Sequence, residues 1–479
     1  MATIKVLRKL TVILEVKAHA DLAMTVSALC EKGLKLARIL VLSHYWAPEN
    51  GVPQRRWTWL SEMLHEQGHS VSVIAPPPHY NRMNDWTHRV QDMRLRTRRR
   101  IRGAQQEESG PSGERIFRTQ YLTGGSGLTA KAANQGFVAL STLVKLLGLR
   151  RMSKEATPDL IIGTVPALPT AFITPIAAKL LGVPYVIDLR DAWPDLLKYS
   201  NDWNSGLGES SWRERIFGKG PKQVVIAIVS HLLKKSLRNA AGVIVTADDL
   251  GEQLQAKLSH RNSSARVNVC TLRNVFPVQS AYSRDQAAPV HHVESNRPYL
   301  NVLYAGTLGR AQKLGNAIEA AELAHHQGVD VHLKLIGAGV TKEALQAQAR
   351  ELDADIQILP RTSADALEQY YSWADTALVH LADWAPLQRA VPSKTYELME
   401  AGIHISGAVE GETARLIEQL HAGHTVPAED PQALAQLWVR LSHNREQLEV
   451  PSNASQWVVH ERDVASPAAL QKFLDALSN

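Results

Sequence analysis

The chain alternates short apolar runs with longer stretches in which apolar positions recur every three or four residues. Ile39-Leu40-Val41-Leu42-Ser43 suits a buried strand. A loop from His44 to Pro53 follows. The next stretch places Trp57, Leu60, Met63 and Leu64 on one helical face and stops at Gly68. Val71–Ala75 reads as the next strand, which makes a βαβ unit with parallel pairing. Further strands are predicted at Ile116–Tyr121, Leu160–Gly163, Tyr185–Leu189 and Val243–Ala247. Helices are predicted at Gly136–Leu149, at Ala171–Leu181 (closed by Gly182) and at Val224–Ala240. In the second half, Asn301–Gly306, Val331–Gly337, Ile356–Leu359 and Ala377–Leu381 read as strands separated by helical patterns. This is an α/β chain with two Rossmann-like domains.

The polar stretches set the boundaries. Residues 1–37 read as an N-terminal extension, 38–280 as the first domain and 296–445 as the second. Residues 446–479 form a helical tail that crosses back to the first domain. The join falls in Ser280–Pro298, a polar stretch with Pro289 and Pro298. Gly103–Gly113 reads as a flexible surface loop.

The chain has 479 residues, 44% hydrophobic and 21% charged, which excludes disorder and fibrous repeats for most of it. Its two cysteines, Cys30 and Cys270, form no CxxC, which disfavours a disulfide framework or structural zinc. No apolar run reaches the ~18–20 residues of a membrane span. The N-terminus lacks the uninterrupted apolar core of a signal peptide. A cytoplasmic protein is expected.

The net charge of +6 hides a split. Residues 1–240 hold 34 basic and 19 acidic side chains, a net of +15; the remainder holds 19 and 28, a net of −9. Such asymmetry points to an anionic partner for the first half, either nucleic acid or a membrane surface, with simple drift of two domains to different charge as the competing account. Basic clusters there are Arg94, Arg96, Arg98, Arg99, Arg100 and Arg102; Lys145, Arg150, Arg151 and Lys154; and Lys234, Lys235 and Arg238.

Candidate chemistry gathers where strands end, the usual ligand side of an α/β sheet. Pro48-Glu49-Asn50-Gly51 precedes a helix. A glycine there lets backbone N–H groups approach a phosphate or sugar, although a plain βα turn accounts for the loop equally simply. Asp188-Leu189-Arg190-Asp191-Ala192-Trp193-Pro194-Asp195 crowds three carboxylates, a guanidinium and an indole after a strand, with a structural Arg–Asp pair as the competing account. Gly306-Thr307-Leu308-Gly309-Arg310-Ala311-Gln312-Lys313 has the two glycines and two cations of a diphosphate loop. Ile336-Gly337-Ala338-Gly339 ends the next strand. In Pro392-Ser393-Lys394-Thr395-Tyr396-Glu397, Ser393 is an expected N-cap, and Lys394 and Glu397 share a helix face. A lysine at a helix N-terminus suits a diphosphate, and a carboxylate one turn on suits sugar or ribose hydroxyls. A capping-box variant with an ordinary ion pair is the structural alternative. There is no GxGxxG, so a dinucleotide fold is disfavoured.

Together these segments, with Pro158-Asp159-Leu160-Ile161-Ile162-Gly163, Gly402 and Gly411-Glu412, resemble the retaining glycosyltransferases of family 4. Those have a GT-B fold, with two Rossmann-like domains facing across a cleft. The closest likeness is to the fucosaminyltransferase-like branch of bacterial surface-polysaccharide synthesis, and it covers Arg38 to about Leu441. The resemblance implies metal-independent sugar transfer from a nucleotide-sugar, UDP-linked, with retention and without a further cofactor. It implies catalytic roles for Asp191 and Glu397. It implies donor binding by Gly306, Gly309, Arg310, Lys313, Gly337, Gly339, Lys394, Glu397 and Glu412, and acceptor or loop roles for Asn50, Gly51 and Arg190. The acceptor would be a saccharide on a polyprenyl carrier, reached from the inner face of the plasma membrane by a peripheral protein. A membrane partner then replaces nucleic acid as the reading of the basic half. One position departs from the pattern. The family's first glutamate, eight residues before the second, is Arg389 here, and Asp383 is the nearby carboxylate that stands as a substitute. A nucleotide-sugar epimerase of the same fold and a non-catalytic nucleotide-sugar-binding protein are the alternatives.

Overall fold

The computed structural model describes residues 37–49, 51–78, 107–121, 128–152, 157–165, 167–199, 221–259, 267–278, 282–284 and 297–478. Residues 1–36, Asn50, Cys30, Lys154, the arginine run Arg94–Arg102 and most of Ser280–Pro298 lie outside them. The fold is α/β, with two parallel-sheet domains.

Packing divides the described residues into two compact units. The first takes in those within 1–49, 57–162 and 177–184; the second takes in those within 50–56, 163–176 and 185–479. These boundaries differ from the division at 280–296 read from the sequence.

In the first unit, β1 (Arg38–Leu42) pairs in parallel with β2 (Ser70–Ala75), Ile39 opposite Val71 and Val41 opposite Val73. The helix between them, α1 (Val52–Glu66), buries Trp57, Leu60, Met63 and Leu64, as its periodicity predicts. Each such side chain contributes roughly 1.5–3 kcal/mol on burial. The strand order is β3-β4-β2-β1, then the start of β5 (Leu160–Val165). The stretch Gly103–Gly113 is not all loop. Glu107–Ser109 forms β3, antiparallel to β4 (Arg115–Arg118). Its strand character comes from cross-strand charge: Glu107 and Glu108 pair with Arg115 and Arg118 at 2.5 and 2.8 Å. The long helix α2 (Leu128–Met152) and the end of α3 (Leu168–Leu181) complete this unit.

The second unit holds two runs of strands. The end of β5 is followed by β6 (Tyr185–Leu189), β7 (Gly242–Val245) and β8 (Asn268–Thr271), with helices α4 (Pro221–Arg238) and α5 (Asp248–Ser259). A six-stranded, wholly parallel sheet has the order β11-β10-β9-β12-β13-β14. Its strands are β9 (Tyr299–Thr307), β10 (Asp330–Ala338), β11 (Ile356–Leu359), β12 (Thr376–His380), β13 (Ile405–Ala408) and β14 (Gly423–Val426). Its helices are α6 (Gly315–His326), α7 (Lys342–Ala349), α8 (Ala364–Trp373), α9 (Ser393–Glu400), α10 (Gly411–Gln419) and α11 (Pro431–His443). Leu300, Val302, Leu333 and Leu335 pack against Ile318 and Ala321 of α6 and Leu434 and Trp438 of α11. Inside this sheet, Thr376 Oγ1 lies 2.8 Å from His404 Nδ1, and His404 Nε2 lies 2.9 Å from His424 Nδ1. The tail forms α12 (Asn453–His460) and α13 (Ser466–Ser478). The latter packs on β8, and the Cys270 thiol faces the Ala469 carbonyl at 3.7 Å.

Candidate functional site

α9 begins where an extended Ala390 leads into Pro392. Pro392, with φ −59°, occupies the cap position and sets the entry into the helix. Ser393 is therefore the first helical residue, and no side chain caps the end, which corrects the expected serine N-cap. Lys394 falls in the first turn. Its Nζ lies 3.0 Å from Glu397 Oε1, the i,i+3 pair expected from the spacing.

Two further residues join this pair. The Tyr371 hydroxyl, from α8, donates to Glu397 Oε1 at 3.0 Å, and Lys394 Nζ donates to the same hydroxyl at 3.0 Å. Arg55, in α1, places Nη1 at 3.9 Å from Glu397 Oε2. It stacks 4.6 Å over Phe276 and donates to the Pro277 carbonyl at 2.9 Å. Burial pushes the Lys394 ammonium below its ordinary pKa, with Glu397 opposing the shift and Arg55 adding to it. Burial also lowers Arg55 and raises the Tyr371 hydroxyl. The result is a partly buried cluster of two cations, a phenol and one carboxylate. That set can hold an anion and accept a hydroxyl. Arg55 and Tyr371 were not singled out in the sequence. The available signal was Arg55-Arg56 near the start of a helix, where the dipole disfavours cations unless they have partners.

Arg56 has such partners. Its Nη2 meets Asp188 Oδ1 at 3.1 Å with both side chains fully buried, and its Nη1 donates to the Leu272 carbonyl at 2.8 Å. Asp188 thus forms a structural pair with Arg56. Arg190 donates to the Val165 carbonyl at 3.1 Å. Desolvation raises the Asp191 carboxyl, against the pull of Arg190. Asp195 is met by Lys257 at 2.9 Å, Arg389 at 3.2 Å and Lys198 at 3.6 Å. The departure at Arg389 is therefore paired with a carboxylate from the β6 loop. Asp383 is exposed, and its N–H donates to Glu429 at 3.0 Å.

Glu412 is arranged differently. It sits in the first turn of α10, buried. Its Oε1 accepts from the Asp248 N–H at 3.0 Å and its Oε2 from the Asp249 N–H at 2.9 Å. Arg273 adds a contact at 2.5 Å. The carboxylate serves the otherwise unsatisfied N–H groups at the start of α5. Both of its oxygens are occupied by protein.

The glycine loops cluster at the carboxyl ends of β9 and β10. At Gly337 and Gly339, a Cβ would stand 1.9 Å from the Gly306 and Leu308 carbonyl oxygens, so close backbone approach alone requires glycine there. The Leu308 N–H bonds the Ala338 carbonyl, and Thr341 Oγ1 returns to the Leu308 carbonyl at 2.8 Å. Gly306 is exposed and Gly309 partly so. Arg310 opens the following turn and has no ion-pair partner among the described residues. Lys313 closes that turn with φ 42° and faces Glu429 at 3.6 Å. Gly51 stands before α1, its carbonyl accepting from the Arg55 N–H. Nearby, a hollow of about 370 Å³ opens beside Gly411 and Ala414 of α10 and Thr425 to Pro427 after β14. No group of metal-ligating side chains occurs among the described residues, and none of the described helices is long and apolar enough to cross a membrane.

Two family models match in tandem. The glycosyl transferase 4-like domain matches residues 51–274, and glycosyl transferases group 1 matches 300–444. The chain is 26% identical over 373 residues to the "Putative colanic acid biosynthesis glycosyl transferase WcaI" of Escherichia coli (strain K12). That match covers 76% of this chain and 81% of the relative. Among solved structures, sucrose-phosphate synthase from Thermosynechococcus elongatus aligns with a TM-score of 0.59 at 14% identity, covering 91% of this chain and 97% of that one. Anabaena HepE, in complex with UDP and glucose, aligns at 0.55 and 14% identity, covering 92% and 99%.

Proposed function

The chain belongs to the glycosyltransferases of the family 4/GT-B superfamily, and from that premise we propose how it works and on what. It moves a sugar from a nucleotide-diphosphate sugar to an acceptor hydroxyl with retention, without a metal. We take the nucleotide to be UDP and the acceptor to be a polyprenyl-linked saccharide of surface-polysaccharide synthesis, of the fucosaminyltransferase-like branch. The protein works as a peripheral enzyme at the inner face of the plasma membrane.

The observation that carries this reading is the Lys394–Glu397–Tyr371–Arg55 cluster gathered around the start of α9. Lys394 meets the diphosphate, with Arg310 and Lys313 as further cations. Glu397 exchanges part of its present hydrogen bonding for a ribose or sugar hydroxyl. Charge that develops on the departing diphosphate is stabilised by these fixed cations and by the N-terminus of α9. Asp191 lies near the transferred sugar, its raised carboxyl pKa suiting a group that exchanges a proton or accepts a hydroxyl. Gly51 and Arg190 line the acceptor approach. Glu412 supports the site by holding the start of α5 rather than by touching the donor.

The test is a transfer assay with radiolabelled nucleotide-sugars and polyprenyl-linked acceptors, with the anomeric outcome read by NMR and a chelator control. Transfer with retention that survives chelation is the expected result. Inversion, chelator sensitivity, or epimerisation without acceptor would each overturn the corresponding part.

A further inference from the structure

α4 is anchored on one side and bare on the other. Its inward face buries Leu233, Ser236 and Leu237. Ser236 Oγ donates to the Ala171 carbonyl at 2.5 Å, and its own carbonyl accepts from the Tyr185 hydroxyl at 2.7 Å. The helix is therefore held firmly while its outward face stays in solvent. That face carries Val224, Val225, Ile228 and Leu232, exposed by 58, 53, 53 and 43%. Positions 224, 228 and 232 are one helical turn apart, so they form a continuous apolar stripe, with Val225 beside it. The stripe leads into Lys234, Lys235 and Arg238, all exposed. No Asp or Glu occurs anywhere in Pro221–Arg238.

The first unit repeats the pattern independently. α2 exposes Leu140 and Val144 by 61 and 64%, with Leu147 one turn on, and it too contains no Asp or Glu. Its sequence ends in Arg150 and Arg151.

A soluble surface rarely leaves such a stripe unpartnered. Three features select the occupant. The apolar side chains are aliphatic and arranged for burial along one helix face. The charges that flank them are of one sign. The helix has no acidic group with which a second copy, related by a two-fold axis, could neutralise those cations. An interfacial helix with an apolar face and basic flanks fits the boundary between anionic headgroups and acyl chains. We propose that the outward face of α4 docks on an anionic lipid bilayer, with Val224, Ile228 and Leu232 entering the acyl boundary and Lys234, Lys235 and Arg238 meeting headgroup phosphates. The outward stripe of α2 offers the same chemistry within the first unit. This deepens the reading of a polyprenyl-linked acceptor and rests on it for its purpose, though not for its physics.

The experiment is co-sedimentation of the full chain with phosphatidylglycerol-containing and pure phosphatidylcholine vesicles, at low and high salt. The unaltered protein is expected on the anionic vesicles, with partial release at high salt. The triple variant Val224→Ser, Ile228→Ser, Leu232→Ser is expected to bind about ten-fold or more weakly with its charge unchanged. The double variant Lys234→Glu, Lys235→Glu is expected to lose salt-sensitive binding by a similar factor. Absence of binding to anionic vesicles at low salt overturns the proposal, as does a triple variant that binds like the parent. A dimer in light scattering that dissociates in the triple variant assigns the face to a second copy and also overturns it. Nucleotide-sugar binding by calorimetry on the same preparations separates the two readings. Vesicle binding without nucleotide binding leaves the docking surface and removes the transferase site; nucleotide binding without vesicle binding does the reverse.

Discussion

Glu397 and Glu412 lie in consecutive helices of one sheet, each with an arginine in reach, and they are partnered in opposite ways. Glu412 has two backbone N–H groups and Arg273 on its carboxylate, all at 3.0 Å or less. Among the described residues, Glu397 has close partners only on Oε1, while its other oxygen faces Arg55 at 3.9 Å. A carboxylate whose oxygens are both taken up by the fold holds elements in place. One with spare acceptor capacity beside a partly buried, disfavoured ammonium has interactions left to give to a ligand. The residue type is the same; satisfaction separates the roles.

The sharpest way to break this contrast is Glu412→Ala. It leaves the buried Arg273 with Asp248 as its remaining ion-pair partner and frees the first N–H groups of α5, and should cost up to about 3–5 kcal/mol of stability. Thermal unfolding checks it; an unchanged midpoint would remove Glu412 from the structural side. Lys394→Met should act through activity instead, lowering kcat/KM by about 10²–10³ while the unfolding midpoint stays near that of the parent. Tyr371→Phe removes one hydrogen bond to Glu397 and should change stability by about 0.5–1.5 kcal/mol at most. Chemical denaturation measures it, and a larger loss would mean that the Glu397 cluster is structural as well.

A pH limit bounds the comparison. Burial holds His404 at about 3, well below the 6.5 of a free imidazole, with His424 adding to the shift. The unfolded chain therefore binds a proton that the folded chain refuses. The stability from this site is complete above about pH 6.5 and is lost progressively as pH falls towards 3. His404→Gln should show a shallower fall in midpoint over that window, and Glu412→Ala, Lys394→Met and Tyr371→Phe should be compared above it.

The alternation of apolar runs made the α/β architecture legible, and Tyr185–Leu189 and Ile356–Leu359 coincide with β6 and β11 to the residue. β3 was hidden because its three residues, Glu-Glu-Ser, carry no apolar pattern and gain strand character only from Arg115 and Arg118. The Lys394–Glu397 pair was readable because i,i+3 spacing on a helix is local. The partners of Glu412 were not, since Arg273 lies 139 residues away in the chain and Asp248 lies 164 away. Ser393 misled because proline one residue earlier had already fixed the helix entry.

The central claim is that the first turn of α9 receives the nucleotide diphosphate. Calorimetric titration of UDP into the parent protein and into Lys394→Met, above pH 6.5, tests it most directly. Saturable binding to the parent, weakened about ten-fold or more in the variant, is the result expected for a charge-assisted phosphate contact. Equal affinity in both proteins, or no binding to a folded parent by UDP or any other nucleoside diphosphate, would contradict it.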